Sequence, residues 1–269
     1  NSMVLLDGKK TSNEIKSEIK ISVDNLILNQ ERPPHLAAIL VGDDGASLTY
    51  IGSKIRSCEQ VGFKSSLFRY SSDISEFDLI KKIKDLNLDS EIDGFIVQLP
   101  LPKHINEQNV LLSIDPNKDV DGFHPTNFGK MALGLKGYVP ATPYGIMKLI
   151  EKYDIKTEGK NCLVVGRSNI VGRPMSILMS LRGKYGNSTV TLAHSKTKNL
   201  AELTQKADII IMALGIPEFL KSDMIKKNST VIDVGISRVE DKSNERGYMI
   251  KGDVDFESVS KKVKFLTPV

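Results

Sequence analysis

Five short runs built largely from aliphatic residues recur along this chain, at 36–41, 94–97, 161–165, 208–212 and 230–234. They are too short to be buried helices, and they lack the apolar–polar alternation of a strand with one wet face. Strands of that kind are buried on both sides, as in a parallel sheet covered by helices. The intervening segments supply the helices. Ile15, Ile19, Val23 and Leu26 fall at helical spacing within 12–28, and 47–61, 76–86, 171–182 and 199–206 read the same way. Further strands are expected at 64–70 and 188–193. The alternation defines an α/β chain.

Proline and glycine thicken between Pro100 and Pro143, a stretch of loops holding two apolar helix candidates at 109–114 and 127–133. Thr142 and Pro143 are expected to open a helix running to Tyr153, as N-cap and first helical residue. The domain boundary is placed on that helix, which gives an N-terminal domain of 3–145 and a C-terminal domain of 146–269.

Composition excludes several classes. Of 269 residues, 40% are hydrophobic and 26% charged, which is a globular balance. No apolar run approaches the roughly 18 residues that span a bilayer, so no membrane partner is expected. The 37 basic residues are set against 33 acidic ones and form no block with interleaved aromatics, so a nucleic-acid partner is not expected either. Cys58 and Cys162 lie far apart, and the four histidines show no ligand spacing, so neither a disulfide framework nor a metal site is expected. A reducing compartment follows from that cysteine usage; the cytoplasm is expected, with an organelle matrix as the alternative. Asn1-Ser2 reads as an expression scar before a natural start at Met3.

The strand at 161–165 runs into Gly166, with Gly172 six residues on and a helix after it. A Rossmann-type unit needs such a turn, because the N–H groups of a helix N-terminus must face a pyrophosphate. Ser168 stands where a second glycine is usual, so the turn alone also fits a strand-to-helix connection without a ligand. The next strand ends in Ala193-His-Ser-Lys-Thr197 rather than in the carboxylate that accepts from an NAD ribose. A hydroxyl, a lysine and Arg167 suit a 2′-phosphate instead, which favours NADP over NAD.

Tyr50 and Lys54 lie four apart on one helical face, a pairing that is usually no more than surface decoration. Their context is more informative. The strand 94–97 delivers Gln98-Leu99-Pro100 to the C-terminal edge of a parallel sheet, where open α/β sheets carry their sites. The loop Asp119-Val-Asp121-Gly-Phe-His-Pro125 adds two carboxylates, one of which can pair with an amidine-like edge; Asp-Gly is equally a turn signal.

In order along the chain, Tyr50-Ile-Gly-Ser-Lys54, Gly94-Phe-Ile-Val-Gln-Leu-Pro-Leu-Pro102, Lys118-Asp-Val-Asp-Gly-Phe-His124, Gly166-Arg-Ser-Asn-Ile-Val-Gly-Arg-Pro174, His194-Ser-Lys-Thr197 and Val231-Ile-Asp-Val-Gly-Ile236 closely resemble the bifunctional methylenetetrahydrofolate dehydrogenase/cyclohydrolase family. The resemblance runs from Leu5 to the end. It implies a catalytic, folate-binding N-terminal domain and a Rossmann-type NADP domain with a cleft between them, and a homodimer paired through the cofactor domains. It also implies a role in one-carbon metabolism and purine biosynthesis. Lys54 would be the acid/base of the hydrolytic step, Tyr50 would pack on the folate, and Gln98 would hold the lysine in its neutral form. Leu99 and Pro100 would line the folate site, and Asp121 would bind the pterin edge. On the cofactor side, Arg167, Ser195 and Lys196 would take the 2′-phosphate, flanked by His194 and Thr197. Gly166, Ser168, Ile170 and Gly172 would line the pyrophosphate turn, and Gly215 and Ile236 would lie near the ribose and nicotinamide.

Two departures are visible. Ala141 replaces a cysteine common in the family, and the chain stops at Val269, where the family continues into a Gly-Pro-rich loop and a final helix. A dehydrogenase without cyclohydrolase activity would lack Lys54 or Gln98, and a dinucleotide sensor would have a disabled first domain; the residues of both are present. A formate-activating domain would need a phosphate loop with Gly-Lys-Ser/Thr, which is absent.

Overall fold

The computed structural model describes residues 2–268. Asn1 and Val269, on which the readings of the scar and of the chain's continuation fall, lie outside the described residues. In chain order the elements begin with β1 (Val4–Leu5), α1 (Gly8–Leu28), β2 (His35–Val41), α2 (Gly45–Val61), β3 (Lys64–Tyr70), α3 (Glu76–Leu88) and β4 (Gly94–Val97). Next come α4 (Glu107–Ser113), α5 (Pro125–Ala132), α6 (Ala141–Lys152), β5 (Asn161–Val165), α7 (Gly172–Ser180), β6 (Thr189–Ala193) and α8 (Leu200–Lys206). The chain closes with β7 (Ile209–Met212), β8 (Thr230–Asp233), β9 (Ser237–Glu240), β10 (Tyr248–Lys251), α9 (Phe256–Ser260) and β11 (Phe265–Leu266).

Two compact units form. The unit Ser12–Ala141 holds a parallel three-stranded sheet in the order β3-β2-β4. Period-two geometry sorts its apolar strands onto both faces. Ala37, Ile39, Val41, Phe95 and Val97 pack with Leu79, Ile83 and Leu86 of α3. Ala38, Leu40 and Ile96 pack with Ile51 of α2 on the opposite face.

The second unit repeats the logic in a six-stranded sheet, β1-β11-β8-β7-β5-β6, parallel throughout. Leu163, Val165, Ile210, Met212 and Val231 face α8 and α9. Cys162, Val164, Ile209, Ile211 and Ile232 face Ile146 and Ile150 of α6 and Met175 and Met179 of α7. Helices on both faces of a parallel sheet make this a doubly wound, Rossmann-type unit.

The structure differs from the sequence expectation in particular places. Thr142 is no N-cap: α6 already begins at Ala141, so the threonine lies inside its first turn. The units divide at Ala141/Thr142, and residues 3–11, expected with the N-terminal domain, group with the second unit. The reason is β1, which pairs with β11 and forms the edge of this sheet: Val4 N and the following Leu6 N donate to the carbonyls of Lys264 and Leu266. The short strands β1 and β11 and the antiparallel hairpin β9–β10 had not been expected. Two- to four-residue strands carry no periodicity of their own, and pairing creates them.

Candidate functional site

In the first unit the candidate catalytic residues stand at the C-terminal edge of the sheet. Beyond β2, Asp44 caps α2, its Oδ2 accepting from Ser47 N and Ser47 Oγ, both at 3.0 Å. Ser47, Ile51, Cys58 and Val61 form the buried stripe of α2. Lys54 falls on that stripe by spacing, so it is half-buried, whereas Tyr50 at the margin keeps 56% of its surface exposed. An aromatic face left open in this way can stack on a flat heterocycle.

The lysine meets the end of β4. Gln98 N donates to Ile39 O at 3.0 Å, which holds the glutamine at the sheet edge. Its side-chain Nε2 donates to Leu99 O at 3.1 Å, and its Oε1 accepts from Lys54 Nζ at 3.0 Å. Spending the amide donor on Leu99 O orients the amide oxygen toward the lysine.

The loop 118–125 separates its two carboxylates. Lys118 Nζ donates to Leu86 O at 2.8 Å and Asp89 O at 2.6 Å, carbonyls at the end of α3. Phe95 N donates to Lys118 O at 3.0 Å, and Asp119 forms a parallel bridge with Phe95. Two residues further along these parallel segments come Val97, next to Gln98, and Asp121. Asp119 is 2% exposed, and its Oδ2 accepts from His124 N and Asn127 Nδ2, each at 2.9 Å. It is therefore committed to the loop, which leaves Asp121 as the candidate for a ligand. Asp119→Ala strands two donors at a cost of about 1–3 kcal/mol each. A fall in the urea unfolding midpoint is the expected result; an unchanged midpoint would contradict this reading.

Burial pushes the Asp121 carboxyl up to about 6, the charge of Lys54 pulls against that rise, and Asp119 adds to it. Because the folded value lies above the ordinary one of 3.8, the folded state holds this proton more tightly than the unfolded chain does. The stability this contributes is complete below about pH 4 and is lost as pH rises through about 6. Asp121→Asn, which cannot ionise, is expected to unfold at a higher urea concentration than the parent at pH 7.5. Coincident midpoints would refute that.

The second unit brings together the cofactor candidates. Val165 pairs with Ala193 in register, so Gly166–Arg167 and His194–Ser195 leave neighbouring strands at the same edge. A Cβ on Gly166 would lie 2.2 Å from Ala213 O, and one on Gly172 1.8 Å from Gly166 O. Only glycine permits so close a turn. Val171 offers α7 no side-chain cap, which leaves N–H groups at the helix start for an anion. Ser168 Oγ accepts from Val171 N at 3.1 Å, so its hydroxyl braces the turn. This cradle fits a pyrophosphate.

After β6, His194 N donates to Thr197 Oγ1 at 2.8 Å and Lys196 N to His194 Nδ1 at 3.1 Å. His194 and Thr197 thus close the turn, and Ser195 and Lys196 are left exposed on it, as is Arg167 on its neighbour. Ile170 and Ile236 are exposed at 49% and 71%, and Gly215 adopts φ +77°. Sequence reasoning missed the carboxylates that hold this edge, Asp233 and Asp253. Their signal was the proximity of each to a glycine, in Asp233-Val-Gly235 and Gly252-Asp253.

A small parallel α/β unit with a lysine–amide pair at its edge, joined in one chain to a dinucleotide-type unit, is the plan of a two-domain nicotinamide-dependent enzyme. Residues 6–121 match the model of the tetrahydrofolate dehydrogenase/cyclohydrolase catalytic domain, and residues 140–269 match that of its NAD(P)-binding domain. The chain belongs to the tetrahydrofolate dehydrogenase/cyclohydrolase family. The bifunctional protein FolD of Flavobacterium johnsoniae is 64% identical over 267 residues, 99% of this chain and 90% of that protein. The crystal structure of the bifunctional enzyme FolD from Campylobacter jejuni has a TM-score of 0.93 at 46% identity, covering 100% of this chain and 92% of that one. The methylenetetrahydrofolate dehydrogenase-cyclohydrolase of Trypanosoma brucei, solved with NADP and an inhibitor, has a TM-score of 0.93 at 31% identity, covering 100% and 91%.

Proposed function

We propose that this protein oxidises 5,10-methylenetetrahydrofolate to 5,10-methenyltetrahydrofolate with NADP, then hydrolyses the product to 10-formyltetrahydrofolate in one-carbon metabolism. The observation that carries the hydrolytic half is the Lys54–Gln98 pair at 3.0 Å. NADP, when bound, supplies the acceptor for a hydride from the methylene carbon. Arg167, Ser195 and Lys196 are assigned to its 2′-phosphate, and Gly166, Ser168, Ile170 and Gly172 to its pyrophosphate; Gly215 and Ile236 are assigned to the ribose and nicotinamide end. For the hydride step, orientation matters more than acid/base help.

Hydrolysis is where Lys54 acts. Lys54 Nζ takes a proton from water as the oxygen bonds to the amidinium carbon, and returns it to the ring nitrogen as the carbon–nitrogen bond breaks. The remaining hydroxyl proton leaves to solvent as the formyl carbonyl forms. Gln98 orients the lysine, Tyr50 packs on the folate with Leu99 and Pro100 beside it, and Asp121 pairs with the pterin edge. Mixing protein, methylenetetrahydrofolate and NADP tests both steps. NADPH should appear faster than methenyltetrahydrofolate accumulates, with the difference recovered as methenyl on acidification. A one-for-one rise would leave a dehydrogenase alone.

We place the protein in the cytoplasm as a homodimer with no nucleic-acid partner. Cys58 and Cys162 are both free and buried, and burial pushes the Cys162 thiol up to about 12, so a reducing compartment suits them. No helix among the described residues is long and apolar enough to cross a membrane. The exposed edge strand β6 is compatible with pairing through the cofactor units.

A further inference from the structure

The edge of the second sheet is held by two carboxylates that the reaction itself does not use. Asp253 is fully buried, and its Oδ2 accepts from Leu214 N at 2.7 Å and Gly215 N at 3.1 Å. Its own N–H donates to Asp233 Oδ1 at 3.0 Å, and Asp233 also accepts from Gly235 N at 3.0 Å and Val254 N at 3.1 Å. Glycines make room for both. A Cβ on Gly235 would lie 2.0 Å from Asp253 Oδ1, and one on Gly252 1.9 Å from Asp233 Oδ2.

The hairpin β9–β10 arises between the two carboxylates and is tied to the segment after β7. Ser237 Oγ donates to Gly215 O at 3.2 Å, Lys251 Nζ to Glu218 Oε1 at 2.9 Å, and Glu218 N to Gly252 O at 2.9 Å. Ala213, the residue before this segment, has the carbonyl against which Gly166 of the pyrophosphate turn packs. Asp253 thus sets a strand end that borders the dinucleotide cradle.

One oxygen remains unaccounted for. Asp253 Oδ1 has no hydrogen-bond partner among the described residues, although it is buried. A buried carboxylate oxygen without a donor is costly to keep, and such groups call for an explanation beyond packing.

We infer that Asp253 is a positioning residue for the nicotinamide half of the cofactor, acting by clamping the Leu214–Gly215 turn rather than by touching the reacting atoms. The inference rests on the reading of Gly166–Gly172 as the pyrophosphate turn and Gly215 as its nicotinamide-side neighbour. The clamp should matter to NADP and not to 2′,5′-ADP, a fragment that carries the phosphorylated adenosine alone.

Binding of both ligands to Asp253→Ala and Asp253→Asn, measured by calorimetry without folate, tests this. Asp253→Ala should weaken NADP at least tenfold while 2′,5′-ADP stays within twofold. Asp253→Asn, which keeps an acceptor oxygen, should restore most of the loss. On the parent chain, NADP should slow amide hydrogen exchange at Leu214 and Gly215, and 2′,5′-ADP should not; this arm stands even where Asp253→Ala does not fold. Unchanged NADP affinity in Asp253→Ala, equal weakening of both ligands, or equal protection by both would overturn the inference while leaving the cofactor site in place. A parent that fails to bind 2′,5′-ADP would overturn the cofactor reading itself, and the inference with it.

Discussion

Lys54→Ala is expected to abolish hydrolysis of methenyltetrahydrofolate and to leave NADP binding intact. A positioned general base contributes about 10²–10⁴-fold to a rate, and no second amine is hydrogen-bonded to Gln98 among the described residues. The loss should therefore reach at least about two orders of magnitude on that principle. The oxidative step demands no proton transfer from the lysine, so NADPH formation should survive and methenyltetrahydrofolate should accumulate one for one with it. The two steps then separate in one cuvette. Gln98→Ala should give a partial version, because the lysine remains but loses the acceptor that orients it. A Lys54→Ala protein hydrolysing at the parent rate would remove the lysine from the mechanism and leave the 3.0 Å pair as a structural contact.

The second large effect concerns the choice of dinucleotide. Lys196→Ala and Arg167→Ala should each weaken NADP by about 10- to 100-fold, since a hydrogen bond to a charged group is worth about 1.5–3 kcal/mol and 1.4 kcal/mol is tenfold. NAD carries no 2′-phosphate, so its affinity should hardly move. The preference should therefore narrow through loss of NADP binding rather than gain of NAD binding. Both side chains are exposed, so the parent's NADP affinity should also fall with added salt, and less steeply in the variants. Equal losses for both dinucleotides would show that the two residues hold the turn rather than read the phosphate. That outcome would reopen the assignment of Ser195 beside them.

Much of the site was legible before any coordinate. Tyr50 and Lys54 could be placed on one helical face, and Gln98 on a strand end, because helix and strand periods are local properties. The glycine pair Gly166 and Gly172 marked the cradle because close backbone approach leaves few other residues possible. Other elements were invisible for an equally physical reason. Asp119 and Asp121 look alike by composition and spacing, and only the fold brings His124 N and Asn127 Nδ2 onto the first and commits it to the loop. Thr142 looked like a cap because threonine suits that position, yet the helix had already begun at Ala141.

What the sequence by itself determined is the α/β alternation, the two parallel sheets and the candidate groups along their edges. Each depends on spacing within one segment. Tertiary structure alone decided which unit takes residues 3–11, which donors commit Asp119 to the fold, and that Asp233 and Asp253 lock the edge of the second sheet. Those features join residues up to 261 positions apart, as in the pairing of Val4 with Phe265 (265 − 4). No local pattern encodes such contacts, because their free energy appears only when burial and hydrogen bonding bring the distant segments together.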